Sequence, residues 1–209
     1  MIDQFKKDVD AGLSASPKHL SSKYFYDDIG SQIFQKIMAM PEYYLTDSEF
    51  EILSLQAKQI AEKLNFKGTF NIIELGAGDG YKTKLLLEHF LQQEADFEYF
   101  PVDISGDVLK SLKDDLNNRF PKLKVTNLNY EYFEALERLN ELDDSPKVIL
   151  FLGSNIGNFT PDRAQSFFES ALATDFITKF TSGDTSVGTS TDFTSQISVG
   201  DVIAITDFM

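Results

Sequence analysis

Glu74, Gly76, Gly78 and Gly80 occupy alternate positions in the stretch Asn71-Ile72-Ile73-Glu74-Leu75-Gly76-Ala77-Gly78-Asp79-Gly80. The residues from Thr69 to Leu75 predict a strand that rises to an apolar pair and stops at glycine. Lys82 to Leu91 follows with helical spacing, and Leu85, Leu86, Leu87, Phe90 and Leu91 supply its apolar face. A glycine-rich turn between strand and helix lets the backbone approach a ligand, and the helix start offers free N–H groups. That chemistry suits a nucleotide-type cofactor. A dinucleotide fingerprint needs G-x-G-x-x-G, whereas the spacing here is G-x-G-x-G. Glu74 would repel a pyrophosphate and suits a ligand with ammonium and sulfonium groups. The bland alternative is a tight turn with no ligand.

A second carboxylate, Asp103, ends an expected strand from Phe97 to Val102. At the end of the second strand of such a unit, a carboxylate can accept from both ribose hydroxyls. Asp103 or Ser105 can also cap the helix expected over Gly106 to Phe120, and the two roles are compatible. Leu123 to Leu128 predicts a third strand and Glu131 to Leu142 a helix. Val148 to Leu152 is an unbroken apolar run, as in a central parallel strand. The loop after it, Gly153-Ser154-Asn155-Ile156-Gly157-Asn158-Phe159, should face the same crevice as Gly76 to Gly80. In open α/β sheets, ligands sit beyond the carboxyl ends of the strands.

Other elements must hold these groups in place. Residues 1 to 16 read as a surface segment with some helix. Tyr24-Phe25-Tyr26 suggests a small aromatic core, and Gly30-Ser31 opens a helix from Gln32 to Met40, ended by Pro41. Thr46 or Asp47 can cap a helix running to about Leu64, with Ile52, Leu53, Leu55, Ile60 and Leu64 inward. Pro161 to Ala173 predicts a helix with Phe167, Phe168 and Leu172 inward. From Thr174 to Ser198 the chain is rich in Ser and Thr without helical period, which reads as a flexible insertion. A strand from Val202 to Thr206 follows. The expected fold is α/β with a doubly wound sheet over residues 65 to 209 and an α-rich part over residues 1 to 64.

The formal charge of −14 argues against nucleic acid and anionic membranes as partners, since phosphates need a basic surface. The chain has no cysteine, so disulfides and thiolate catalysis are excluded. No apolar run reaches spanning length, and the first residues do not form a signal peptide, so the expected location is cytoplasmic. His19 and His89 are not spaced as a metal pair, and no metal is expected.

The run E-L-G-x-G-x-G resembles the first motif of class I S-adenosylmethionine methyltransferases, whose sheet is Rossmann-like. Two longer stretches narrow the resemblance. Lys23-Tyr24-Phe25-Tyr26-Asp27, Gly30-Ser31, Phe34 and Pro41-Glu42-Tyr43-Tyr44-Leu45-Thr46 resemble the N-terminal signature of the histidine Nα-methyltransferases of ergothioneine biosynthesis. Gly153 to Phe159 is similar to that family's second motif, G-S-x-I-G-N-F. The resemblance covers residues 17 to about 172. It implies a small-molecule substrate, an amino acid, touched by Tyr26 and Asn158. It implies S-adenosylmethionine as cofactor, lined by Tyr43, Gly76, Lys82, Asp103 and Gly153, with Lys82 neutralising its carboxylate. Each of these residues also has an ordinary reading as packing, loop closure or solvated surface.

The chain also departs from the family's pattern. Asn129-Tyr130 stands where an aspartate-aromatic pair is expected; the Asn129 carbonyl can still accept from an adenine amino group. The family's further strands and half of its acceptor pocket are expected after Asp207. On that reading the strand from Val202 is an exposed edge, with weak cofactor binding, little histidine methylation and self-association as consequences. The competing functions are methylation of another small molecule or a protein side chain, and cofactor binding without catalysis.

Overall fold

A computed structural model of the chain describes residues 2–25, 28–64, 68–139, 145–153, 155–172 and 202–204. Its sheet holds β1 (Phe70–Leu75), β2 (Phe97–Val102), β3 (Lys124–Val125), β4 (Lys147–Phe151) and β5 (Val202–Ala204), in the order β3-β2-β1-β4-β5. All four pairings are parallel. The order reverses between β1 and β4, and the expected doubly wound α/β architecture is present.

Side-chain parity explains how the sheet is covered. Phe70 and Ile72 of β1, Phe97 and Tyr99 of β2, and Val148 and Leu150 of β4 enter one core. That core is closed by α3 (Leu45–Leu64), α4 (Thr83–Gln92) and α5 (Gly106–Arg119). Ile73, Leu75, Phe100, Val102, Ile149 and Phe151 enter the other core, closed by α6 (Tyr132–Leu139) and α7 (Pro161–Leu172). Fully burying one such side chain stabilises the fold by roughly 1.5–3 kcal/mol. Strands apolar on both faces are what a sheet sandwiched between helices requires.

The chain divides into two compact units, residues 1–40 and 41–209. The boundary differs from the expected one at residue 64, because α3 belongs with the sheet: Leu53, Ala57, Ile60, Ala61 and Leu64 are all buried in its core. Leu55, expected inward, is 67% exposed. Helical spacing places Ala57 and Ala61 on the buried face in its stead. Thr46 and Asp47 lie inside the first turn of α3 and not at its cap.

The first unit holds α1 (Ile2–Ser14) and α2 (Asp28–Met38), so the N-terminal segment is a full helix and α2 begins before Gly30-Ser31. Tyr24 packs edge-on against Phe5, and its hydroxyl donates to Asp8 Oδ2 at 2.6 Å. Phe25 is 65% exposed, so the expected aromatic core reduces to Tyr24 and Phe5 among the described residues.

β3 is shorter than the expected Leu123 to Leu128, for a covalent reason. Thr126 N donates to Tyr99 O and Leu128 N to Pro101 O, but Pro101 has no N–H to return to the neighbouring strand. Pairing resumes only at the bridge between Val102 and Leu128. The Ser/Thr-rich stretch at 174–198 lies outside the described residues, as do residues 140–144 and 205–209. No helix among the described residues is long and apolar enough to cross a membrane.

Candidate functional site

Leu75 at the end of β1 is in register with Val102 of β2 and Phe151 of β4. The glycine turn, Asp103 and Gly153 therefore emerge at one edge of the sheet, at the reversal of strand order where such folds hold ligands. Gly76 N and Ala77 N both donate to Val102 O, at 2.9 and 3.0 Å, which ties the turn to β2. Gly76, Gly78 and Gly80 have φ of +75°, +54° and +61°.

Two of these glycines serve different purposes. A Cβ on Gly80 would lie 2.7 Å from Leu112 Cδ1, so its absence lets α5 pack against the turn. A Cβ on Gly78 would meet nothing within 4 Å. Gly78 therefore leaves open space beside the half-buried Asp103 carboxylate. Asp103 Oδ2 accepts the Gly78 N–H at 3.1 Å and Oδ1 the Ser105 N–H at 3.0 Å. A carboxylate has about four acceptor sites, so capacity remains for two hydroxyl donors. Burial pushes the Asp103 pKa up, and the N–H groups of Ser105, Gly78 and Ile104 pull against that shift. Ser105, not Asp103, is the N-cap of α5, its hydroxyl accepting from Val108 N at 3.3 Å.

Asn129 Nδ2 donates to the Asp103 carbonyl at 2.8 Å. Asn158 is exposed at the end of the 3-10 turn Asn155–Asn158 that follows Gly153. Tyr43 is half-buried just ahead of α3. Tyr26 lies outside the described residues.

Glu74 is a correction. It was expected to face the cofactor's cationic groups, yet it is only 3% exposed. Its strand parity matches Phe70 and Ile72, which turns it into the core under α4. The Thr83 hydroxyl donates to Oε1 and the Tyr99 hydroxyl to Oε2. Burial raises its pKa to about 7, against the lowering effect of those hydroxyls and of Lys82. Glu74 therefore joins β1, β2 and α4 from within.

Lys82 stands at the N-terminal end of α4 and pairs with Glu49 of α3. Glu49, 4% exposed, also accepts the Gly153 N–H at 2.6 Å. Glu49 belongs to none of the motifs quoted above. Its signal was weak but present: a lysine at a helix N-terminus opposes the helix dipole and needs an anionic partner. Tyr132 carries no such signal, and Asn155 lies in the loop expected to face the crevice. A Cβ on Gly76 would meet the Tyr132 hydroxyl at 2.7 Å and Asn155 Nδ2 at 3.4 Å, so both polar groups border the turn.

The family model described as histidine-specific methyltransferase, SAM-dependent, matches residues 5–182. The chain belongs to this family. It is 33% identical to a histidine N-alpha-methyltransferase of Mycolicibacterium smegmatis, over 82% of this chain and 52% of that one. It is 32% identical to ergothioneine biosynthesis protein 1 of Schizosaccharomyces pombe, over 72% of this chain and 20% of that one. It is 30% identical to a 4-dimethylallyltryptophan N-methyltransferase of Claviceps purpurea, over 80% of this chain and 49% of that one. The chain thus spans about half the length of the bacterial relative, or less in the fission-yeast case.

Proposed function

We propose that this chain is the cofactor-binding part of an S-adenosylmethionine-dependent N-methyltransferase acting on the α-amino group of an amino acid, with histidine as the acceptor. The observation that carries the reading is the meeting of Gly78, Asp103 and Gly153 at the reversal of strand order. Family membership adds the acceptor class. A cytoplasmic location is part of the proposal.

S-adenosylmethionine supplies a methyl group activated by its sulfonium. The residues bind and orient. Asp103 would accept from the ribose hydroxyls, the Asn129 carbonyl would accept from the adenine amino group, and Lys82 would offer its ammonium to the cofactor carboxylate. Asn158 hydrogen-bonds the acceptor. The α-amine of a free amino acid, held protonated by its own carboxylate, is more basic than a chain-terminal amine at about 8, so the reacting neutral amine is a minor fraction near neutrality, formed by loss of a proton to solvent. Positioning and exclusion of water then carry the rate.

The test is calorimetric titration with S-adenosylhomocysteine, then with histidine in its presence. No heat with the first ligand sinks the cofactor reading. Heat with the first and none with the second removes histidine. The relative named for 4-dimethylallyltryptophan supports a second reading, an aromatic amino-acid acceptor other than histidine. Titrating tryptophan alongside histidine separates the two.

A further inference from the structure

Glu49 bridges the start of α4 and the segment just past β4. Oε2 pairs with Lys82 Nζ at the start of α4, and Oε1 accepts the Gly153 N–H at the end of β4. All three residues lie within the unit 41–209. The Glu49 side chain is 5% exposed and that of Lys82 is 18% exposed, so the pair is largely withdrawn from water. A buried carboxylate must be paired and hydrogen-bonded, and both of its oxygens are.

The location of Lys82 needs explanation. Residue 82 has φ −81° and ψ −44° at the N-terminal boundary of α4 and makes no side-chain cap. A cation there is repelled by the positive end of the helix dipole, and a long side chain would by default swing out to solvent. Glu49 supplies the force that holds it in. An ammonium has three donors and Glu49 engages one edge of it, so donors remain for a second anion.

We propose that Glu49 is a positioning residue for the cofactor's amino-acid end: it holds the Lys82 ammonium and the Gly153 backbone where a ligand carboxylate can reach the lysine. This rests on the reading of Lys82 as a cofactor contact. Glu49 itself acts through Lys82 and need not touch the ligand.

The experiment compares two ligands by calorimetry on the full chain. S-adenosylhomocysteine carries the amino-acid carboxylate, and 5′-methylthioadenosine lacks it. Glu49→Ala should weaken S-adenosylhomocysteine by about tenfold or more and leave 5′-methylthioadenosine within about twofold. Lys82→Met should give the same pattern, and the double variant should be no weaker than Lys82→Met alone, because coupled residues do not add. Should Glu49→Ala not fold, Glu49→Gln carries the comparison, since it keeps the volume and the Gly153 acceptor but loses the charge. Equal weakening of both ligands, or additive losses in the double variant, overturns the assignment. An unmodified chain that binds neither ligand overturns the cofactor reading beneath it. One that binds both ligands equally, with Lys82→Met also without effect, removes only the role of Lys82 and Glu49.

Discussion

The Tyr99 hydroxyl of β2 donates to the Glu74 carboxylate of β1 inside the sheet core, and Thr83 of α4 donates to the other oxygen. This joins the first two strands to the helix that follows the glycine turn. Burial, then the neighbouring Glu74 charge, pushes the Tyr99 hydroxyl well above its ordinary pKa, so it stays a donor.

The sign of the Glu74 shift predicts a pH dependence. Its pKa rises from 4.5 to about 7 on folding. The folded state therefore binds more protons than the unfolded state between these values. The favourable contribution is fully present below the unfolded pKa and is lost as pH rises through the folded one. Raising the pH from about 5 to about 8 should cost on the order of 1–3 kcal/mol from this group. Glu74→Gln should lack that slope. Urea denaturation of both proteins at the two pH values measures it, and parallel pH dependences would contradict the assignment.

Asp103 braces Gly78 and is proposed to hold the ribose. Charge-assisted hydrogen bonds contribute about 1.5–3 kcal/mol each, so Asp103→Ala should weaken S-adenosylhomocysteine binding at least about tenfold. Isothermal titration gives the affinity directly. Unchanged binding would remove Asp103 from the site.

Asn158 is exposed on the short turn after Gly153 and is proposed to serve the acceptor. In a protein with full activity, Asn158→Ala should raise the KM for the amino acid by about tenfold while cofactor affinity stays within about twofold. Steady-state kinetics with either substrate varied separates these effects. Matching losses for both substrates would refute the division of labour.

Gly80 and Gly157 make a contrasting pair. Alanine at Gly80 meets Leu112 at 2.7 Å and inherits a φ of +61°. Overpacking and a left-handed backbone together should cost roughly 2–4 kcal/mol. Alanine at Gly157 meets nothing within 4 Å and should change stability by less than about 0.5 kcal/mol. Thermal melts of the two variants test this, and equal shifts would rule out packing as the reason for glycine at position 80.

The residue pattern alone marks the order of strands and helices along the sheet-bearing unit and the turn that follows β1. Phe97 to Val102 is a strand with the expected bounds, because β-branched and aromatic side chains buried on both faces leave the period-free run that signals a parallel strand. Gly76, Gly78 and Gly80 were legible as a turn, and Asp103 as the residue that follows β2, because turn chemistry and strand ends are local properties of the chain. Pro101 was equally visible as a residue without an N–H, but its effect on β3 depends on which strand lies beside it.

Tertiary structure decided which side chains meet. Glu74 sits one residue pair from the open turn, and its spacing alone suggested a ligand contact. Parity with Phe70 and Ile72 buries it, a choice that exists only once α4 covers that face. Glu49 and Gly153 lie far apart in sequence and 2.6 Å apart in space. No periodicity encodes such a contact, because it arises from α3 packing beside α4 and reaching the residue just past β4. Long-range pairing of buried charges follows from desolvation, and desolvation is a property of the folded chain.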